Sequence, residues 1–419
     1  MTTVSAGTNW AGNYEYRAAT VHSPRSVDEL QEVVRRSPAI RALGSRHSFN
    51  DLADSPGDLV SLASMPAEVT VDEQLRTVRV NAGASYGAVA GELNEAGWAL
   101  GNLASLPHIS IAGAIATGTH GSGLRNGSLA EAVTAVELVD GTGELRRFAR
   151  DADDDFPGTV VALGALGVLT AVELRVEPTY EVAQHVFDGL PLAAALESFP
   201  EVMGAAYSVS LFTSWREPLI DQVWVKRRTG EPEPGGDFFG ATPAPVDRHP
   251  IASMPSLNAT PQLGVPGPWL DRLPHFKLAF TPSAGEELQS EYLLPFEHGV
   301  EALQAVASIA DRIAPLLQIS EIRSVRGDDL WLSPAYGADA VALHFTWVQD
   351  QPAVTALLPE LERALAPFSA RPHWGKLFEL GAGQISGLYP RIGDFTRIAG
   401  SLDPDLKFRN AYLDRVIFG

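Results

Sequence analysis

A glycine-rich stretch, SLPHISIAGAIATGTHGSG at residues 105–123, constrains this chain more than any other part of its sequence. Its apolar residues are mostly small, glycine recurs through it, and short hydroxyl side chains lie between the glycines. A segment with so little side-chain bulk exposes many backbone amides and lets a ligand come close to the main chain. It therefore predicts a site for a pyrophosphate or a flat ring system.

A second stretch, RALGSRHSFN at residues 41–50, predicts an anion cradle beside an imidazole. A buried strand runs into Gly44 and Ser45, whose backbone amides suit a phosphate, and His47 follows them. Taken alone, a histidine at such a place is more often a hydrogen-bonded structural residue than a reactive one. The glycine-rich stretch further along the chain favours the reactive interpretation.

With GSRHSF upstream and HWGK at residues 373–376, the glycine-rich stretch resembles the vanillyl-alcohol-oxidase flavoprotein superfamily. More narrowly, the chain is similar to the alditol (xylitol) oxidases over nearly its full length, through TNWAGN, SVSLFTSW, QSEYLLP, EIRSV and HFTWV. The resemblance implies a PCMH-type FAD-binding fold, with FAD attached covalently to His47 through the flavin's 8-methyl carbon. Arg46 precedes this histidine where glycine is the form associated with the closest relatives.

The same resemblance implies which residues bind the cofactor. Residues 160–172 are small and apolar and help to line the flavin, whereas Gly164 and Gly167 lack the full G-x-G-x-x-G pattern of a nicotinamide site. The implied FAD-binding residues are His47, Arg41, Gly44, Ser45, Arg46, Ser48, Phe49, Ser105, Ser110, Gly113, Thr117, Gly118, Thr119, His120, Val168 and His373.

Composition narrows the range of partners. A formal charge of −20 repels the phosphates of nucleic acids and anionic membranes, and it suits a neutral small substrate. The absence of cysteine excludes disulfides, thiolate catalysis and cysteine-ligated metals. No H-E-x-x-H or EF-hand pattern occurs, so no metal site is expected. No leader and no apolar stretch of about twenty residues is evident, which predicts a cytoplasmic protein without a membrane span.

Local patterns predict the elements of the N-terminal half. Ser26 and Glu29 form a capping box for a helix that ends near Ser37, and strands on both sides complete a strand, helix, strand unit. A second helix closes near Gly97. The predicted strands are residues 14–21, 39–43, 69–71, 77–80, 132–139 and 145–149, the last two forming a hairpin.

The sequence GASYG at residues 83–87 has the G-x-S-x-G pattern of a hydrolase nucleophile elbow. Ser85 is equally well placed to cap the helix that follows it, and no glycine-rich oxyanion segment precedes it. Capping is therefore the favoured interpretation.

Length and composition predict two domains, because 419 residues exceed a single compact core. The sequence becomes richer in strands and tryptophan after Pro178, and HWGK marks a return to the first domain. We expect a discontinuous FAD-binding domain at residues 1–187 and 372–419 and a substrate (cap) domain at residues 188–371. The fold class expected is α+β, with a mixed sheet in the cap domain.

Two strands carry polar side chains in a row of apolar ones. The alternation in residues 317–325 places on one face Leu317, Ile319, Glu321, Arg323 and Val325. The alternation in LHFTWV places on one face Ala342, His344, Thr346 and Val348. An ion pair at a partly exposed sheet edge would also explain Glu321 and Arg323.

In alditol oxidases the corresponding strands face the substrate. The resemblance implies substrate binding by Ser105, Glu321, Arg323, Thr346 and Lys376, and catalysis by Lys376, Arg323 and His344. Glu321 accepts hydrogen bonds from hydroxyls, Arg323 and Lys376 stabilise an alkoxide, and His344 accepts the proton. A structural role for His344 remains an alternative.

The implied reaction is oxidation of a terminal alcohol of a polyol such as xylitol, sorbitol or glycerol, with hydride transfer to flavin N5 and reduction of O₂ to H₂O₂. A sugar-lactone oxidase or dehydrogenase of the ascorbate type is the alternative enzyme. A flavin-free carbohydrate-binding protein is the alternative of another class. We expect a monomer.

Overall fold

The computed structural model describes residues 6–280 and 287–419. It contains a small parallel sheet, a five-stranded antiparallel sheet and a large antiparallel sheet, with helices packed against them, so the α+β class is confirmed. Among the helices of these two ranges, none is long and apolar enough to cross a membrane.

The small sheet contains the first predicted strand, helix, strand unit. Its strands, in spatial order and all parallel, are Thr20–His22, Asp58–Val60 and Ile40–Ala42. Helix Val27–Arg36 connects the two outer strands, and Ser26 Oγ caps it by accepting from the Glu29 N–H at 3.2 Å. The buried side of this helix packs against the sheet and Phe408. The predicted unit is confirmed, with a third strand inserted between the two, but its first strand is Thr20–His22 and not residues 14–21.

The five-stranded sheet contains the strands predicted at residues 69–71 and 77–80 and the predicted hairpin. Its strands in spatial order are Val69–Asp72, Thr77–Asn81, Val168–Arg175, Val133–Val139 and Leu145–Ala149. Helix Tyr86–Glu95 follows the second of them along the chain, and Gly97 beyond it has a φ of 82°. Ser85 Oγ accepts from the Ala88 N–H at 3.3 Å, which confirms its predicted capping role.

The large sheet has nine strands. Eight of them lie in the order Thr242–Pro243, Glu181–Pro191, Leu219–Arg228, Ser208–Thr213, Leu317–Val325, Ala340–Trp347, Leu288–Pro295 and Arg371–Pro372, and the ninth, Gly267–Pro268, also pairs with Glu181–Pro191. Every pairing between these strands is antiparallel, so the expectation of a mixed sheet was wrong.

Two crossovers explain why no parallel pair forms. Helices Leu192–Glu197 and Phe199–Gly204 connect two strands that run in the same direction, and strand Leu219–Arg228 lies between those strands. Helices Gly299–Ala307 and Ala310–Ile313 likewise connect two strands that run in the same direction, and strand Ala340–Trp347 lies between those strands. The centre of the sheet is thus built from two copies of one supersecondary unit.

The two faces of the large sheet differ in character. One face packs against the crossover helices and helix Gln351–Leu365, burying Ile322, Leu343 and Trp347. The other face carries the polar residues of both predicted strands. Leu317 was expected on the polar face, but an irregularity in register between Leu317 and Ile319 places it in the apolar core on the helical side.

The C-terminal segment packs against the half of the chain that contains the glycine-rich stretch. Its helices are Ala382–Leu388, Ile392–Leu402 and Ala411–Leu413, followed by a π-helical turn at Asp414–Phe418. The expected domain boundary at residue 187 falls inside strand Glu181–Pro191, which belongs to the large sheet from its first residue. The division into two domains stays a prediction.

Candidate active site

The polar face of the large sheet and the glycine-rich stretch enclose a cavity of about 640 Å³. Nineteen of the residues implicated by sequence line this one cavity: Arg41, Gly44, Ser45, Arg46, His47, Ser48, Ser105, Ser110, Gly113, Thr117, Thr119, His120, Val168, Glu321, Arg323, His344, Thr346, His373 and Lys376. Segments far apart in sequence therefore meet at a single site.

Two expected FAD-binding residues, Phe49 and Gly118, support the wall from behind and are not among its lining residues. The ring of Phe49 lies edge-on to Trp10 and belongs to the helix-side core. Gly118 has a φ of 69°, and a Cβ there would lie 2.8 Å from Pro334 Cδ. Both residues therefore shape the wall indirectly.

The glycine-rich wall depends on close packing between two loops. Ser45 Oγ accepts from the Ser110 N–H at 3.2 Å, and Ser110 Oγ caps the helix Ile111–Ala116. A Cβ at Gly44 would lie 2.6 Å from Ser110 Oγ, closer than unbonded atoms approach. Glycine is needed here because any side chain would push the two loops apart.

Arg41 lines the cavity but uses its charge elsewhere. Its guanidinium donates to four backbone carbonyls at 2.6–2.9 Å, those of Leu52, Leu163, Gly164 and Phe408. Burial lowers the pKa of this arginine to about 10. Arg41 therefore holds the segments around the cavity together.

His47 presents an unused nitrogen at the cavity wall. Its ring stacks on Trp10, with 4.4 Å between the ring centres, and its Nε2 is buried without a hydrogen-bond partner among the described residues. Burial, with the nearby charge of Lys376, lowers the pKa of His47 to about 4, so the imidazole is neutral at pH 7. A neutral imidazole nitrogen without a partner is the kind of group that can form a bond to a ligand.

Arg46 adopts the left-handed backbone conformation, with a φ of 62°. This conformation costs residues other than glycine about 1–2 kcal/mol, which explains why glycine suits this position. The guanidinium donates to the carbonyls of Ala6 and Thr8, and it lies 5.5 Å from the ring centre of Tyr16. These contacts offset the backbone strain and anchor the start of the described chain beside His47.

The residues around this cavity fit FAD. The volume lies in the range of cofactor pockets, and the walls near Gly44 and Gly113 leave no room for side chains, so backbone can approach a ligand closely. His47 adds a buried nitrogen that no described side chain satisfies. The donor set of hydroxyls and backbone amides suits a pyrophosphate.

The sheet side of the cavity carries polar residues in register. Glu321, His344 and Glu291 lie directly opposite one another on three adjacent strands. In the neighbouring row, Thr346 lies opposite Gln289. Adjacent strands are about 4.8 Å apart, so the first row places the backbone positions of two glutamates about 10 Å apart with a histidine between them. Buried positions in a sheet are normally apolar, so this row indicates a ligand.

Glu291 is the centre of the charge network. Its carboxylate accepts from Arg323 Nη2 at 2.6 Å and from Lys376 Nζ at 2.7 Å, and His120 Nε2 lies 3.3 Å away. Burial raises the pKa of Glu291, but Lys376 and Arg323 outweigh burial and hold it well below its ordinary value. Glu291 is therefore ionised and partly neutralises both cations.

Lys376 fixes the tautomer of His344. Lys376 Nζ donates to His344 Nδ1 at 2.6 Å, so Nδ1 is the acceptor nitrogen and the ring proton lies on Nε2, which is 3.1 Å from Thr346 Oγ1. Burial and the charge of Lys376 lower the pKa of His344 to about 4. The ring is neutral at pH 7 and has its basic nitrogen towards Lys376.

Arg323 and Glu321 are both buried, which rules out an exposed ion pair at a sheet edge. Arg323 Nε lies 3.7 Å from Glu321 Oε1, and no hydrogen-bond partner for Nε occurs in the described part of the chain. Glu321 Oε1 accepts from His275 Nε2 at 2.8 Å. Burial raises the pKa of Glu321, but Arg323 and His275 outweigh it and lower that pKa overall.

The sequence interpretation missed Glu291, His275 and Gln289 as site residues. In QSEYLLP, Gln289 and Glu291 share one face of a buried strand with Leu293, the same kind of signal that identified Glu321, and Glu291 lies opposite His344. His275 lies in an irregular loop where no periodicity is available to read.

Comparisons with known proteins agree with this site. Residues 18–149 match the family model described as FAD binding domain, and residues 284–416 match the one described as D-arabinono-1,4-lactone oxidase. The chain is 51% identical to an alditol oxidase from a Streptomyces species, over 99% of this chain and 100% of that protein. It is 29% identical to an L-gulono-1,4-lactone dehydrogenase from Mycobacterium tuberculosis, over 98% of both.

The fold also matches solved structures. The chain superposes on cholesterol oxidase from B. sterolicum with a TM-score of 0.80 over 99% of this chain and 96% of that one, at 17% identity. At this identity the likeness establishes the fold alone, and together with the FAD binding domain match it confirms the expected PCMH-type fold.

Proposed function

Because the chain belongs to the alditol oxidase family of FAD-binding flavoproteins, we propose that it oxidises the terminal primary alcohol of alditols to the aldose and reduces O₂ to H₂O₂. Xylitol, sorbitol and glycerol are the substrates of this class that we propose. The observation that carries the proposal is the buried row Glu321, His344 and Glu291, with Arg323 and Lys376, on one wall of the cavity that fits FAD.

The polar wall suits a linear polyol. Each hydroxyl that leaves water needs a hydrogen-bond partner, because an unsatisfied buried hydroxyl costs about 1–3 kcal/mol. Glu321 accepts from hydroxyls, and Ser105 and Thr346 can donate or accept. The neutral charge of a polyol also suits a wall whose cations and carboxylates already balance one another.

Deprotonation of the alcohol is the step that these residues assist. Lys376 and Arg323 supply positive charge where the oxygen becomes an alkoxide. His344 Nδ1 is the basic nitrogen, and it accepts the proton when a substrate hydroxyl replaces Lys376 as its partner. Bound FAD supplies hydride acceptance at N5 and the subsequent reaction with O₂. The protein positions the alcohol carbon and excludes water.

We further propose that His47 is bonded covalently to the flavin and that the protein works as a monomer with two domains, at residues 1–187 with 372–419 and at residues 188–371. The neutral imidazole beside the cavity, whose Nε2 has no hydrogen-bond partner in the described ranges, supports the covalent bond. Acid precipitation tests it: yellow colour in the pellet supports covalent attachment, and yellow supernatant contradicts it.

The function is tested by adding xylitol to the purified protein without oxygen and recording its visible spectrum. We expect loss of the flavin absorption band, and H₂O₂ once air is admitted. L-gulono-1,4-lactone is the comparison substrate. Bleaching by the lactone but not by xylitol would replace the proposal with the lactone oxidase alternative. A colourless protein would favour the flavin-free carbohydrate-binding alternative.

A further inference from the structure

The loop that carries His275 lines the cavity and contacts two of the proposed substrate residues. The backbone N–H of His275 donates to the Ser105 carbonyl at 3.2 Å, and its ring donates from Nε2 to Glu321 Oε1 at 2.8 Å. Ser105 is the first residue of the glycine-rich stretch, whereas Glu321 lies on the large sheet. One residue therefore fixes both walls relative to each other.

Lys226 and Glu321 together orient the His275 ring. Lys226 is almost fully buried, and its amino group donates to the carbonyls of Leu273 and Pro274 at 2.5 and 3.2 Å and lies 3.1 Å from His275 Nδ1. Burial lowers the pKa of Lys226 to about 7, so its charge alone does not decide the tautomer. The Glu321 carboxylate can only accept, which places the ring proton on Nε2, and Nδ1 of the neutral ring then accepts from Lys226.

Packing removes any other orientation of the ring. Phe212 and Trp224 lie edge-on to it, with ring centres 5.6 and 5.2 Å away. Thr260 holds the loop by donating from Oγ1 to the Pro274 carbonyl at 2.8 Å. Burial and the neighbouring charge of Lys226 lower the pKa of His275 to about 4, so the ring is neutral at pH 7.

The arrangement leaves Glu321 prepared for a ligand. Its Oε1 is held by His275, whereas no described residue donates a hydrogen bond to Oε2. A carboxylate with one oxygen fixed can present the other to a hydroxyl without losing rotational freedom on binding. Without His275, the carboxylate would be free to turn towards Arg323.

We propose that His275 is a positioning residue, oriented by Lys226, that holds Glu321 and Ser105 in the geometry that binds the polyol chain. This inference rests on the proposed function. His275 acts on binding of the substrate and not on the reacting groups, since Lys376 and His344 make no contact with it among the hydrogen bonds of the described residues.

The sharpest test compares two amides at the same position. In His275→Gln the amide nitrogen reaches the place of Nε2 and can still donate to Glu321, whereas in His275→Asn it occupies the place of Nδ1 and cannot. We expect H275N to raise KM for xylitol at least tenfold with kcat within threefold of wild type, and H275Q to keep KM within threefold. His185→Gln is the matched control, because His185 lies on the same sheet outside the cavity lining.

A second readout measures binding to the reduced enzyme, in which turnover has stopped. Saturating xylitol, added without oxygen, should raise the melting temperature of the wild type and of H275Q, and should raise that of H275N less. Lys226→Met should raise KM at least threefold in the wild-type background. It should have no further effect on KM in H275N, because both changes interrupt the same contacts from Lys226 through His275 to Glu321. Lys226→Met in the wild-type background tests the inference by itself if H275N does not fold.

The inference would be overturned if H275N and H275Q raised KM equally or if H275N left KM unchanged. A fall in kcat at constant KM in H275N would also overturn it. Failure of the proposed function looks different, because the wild type itself would then show no xylitol-dependent bleaching.

Discussion

Replacing Glu291 with glutamine tests whether its charge keeps Lys376 protonated. Lys376 lies 2.7 Å from Glu291, and at an effective dielectric constant of about 20 a pair at that distance attracts by about 6 kcal/mol before desolvation is counted. Burial lowers the pKa of Lys376, and the Glu291 charge opposes burial by raising it. Removing the charge therefore lowers the pKa of Lys376 further.

Two effects should follow. Breaking a buried ion network by removing one partner costs about 3 kcal/mol of unfolding free energy, which denaturant titration measures. Loss of the Lys376 charge at pH 7 should lower kcat/KM for xylitol about 100-fold, the range seen when one electrostatic donor is removed. Because the variant protonates Lys376 only at a lower pH than wild type does, its activity relative to wild type should rise as the pH is lowered.

The matched control is Glu362→Gln. Glu362 is also buried, and it accepts a hydrogen bond from Tyr292, the neighbour of Glu291 on the opposite face of the same strand. E362Q should lower stability without changing the pH profile of kcat/KM. A Glu291→Gln variant with more than a third of wild-type activity, or with a pH profile parallel to wild type, would refute the reasoning.

Three further predictions concern the rest of the site. Lys376→Met should lower turnover tenfold or more with the flavin still bound, so unchanged kinetics would remove Lys376 from the mechanism. Gly44→Ala should lower the flavin content, because its Cβ would lie 2.6 Å from Ser110 Oγ; the ratio of visible to ultraviolet absorption measures that content. Gly91→Ala is the control, since a Cβ at Gly91 would have nothing within 4 Å, and this variant should keep its full flavin content. His275 and His344 each have a lowered pKa of about 4, so below about pH 6.5 the unfolded chain binds more protons than the folded one. The unfolding free energy should therefore fall as pH drops from about 6.5 to about 4, by about 1 kcal/mol per pH unit for each histidine. A flat dependence of unfolding free energy over that range would contradict it.

Sequence reasoning succeeded where the signal is local. Alternation along a strand is visible in the sequence, so Glu321 with Arg323 and His344 with Thr346 were placed on shared faces correctly. Ser26 and Ser85 were identified as helix caps because capping depends on residues three positions away.

The errors arose where structure depends on distant residues. Leu317 is displaced by a register irregularity that its own sequence does not encode, and the antiparallel order of the large sheet depends on which strand inserts between two others. Glu291 gains its importance from lying opposite His344, a pairing that alternation within one strand cannot supply. His275 and Lys226 meet only when an irregular loop closes over the sheet.

The two unlike faces of the large sheet also bear on how this protein can be altered by mutagenesis. Side chains at Ile319, Thr346 and Gln289 line the cavity, whereas strand neighbours such as Leu288, Phe345 and Trp347 belong to the core on the helical side. Variant libraries confined to the three cavity-lining positions should therefore change substrate choice while most members still fold. The same range of substitutions, made instead at the next residue along each strand, should yield mainly insoluble protein.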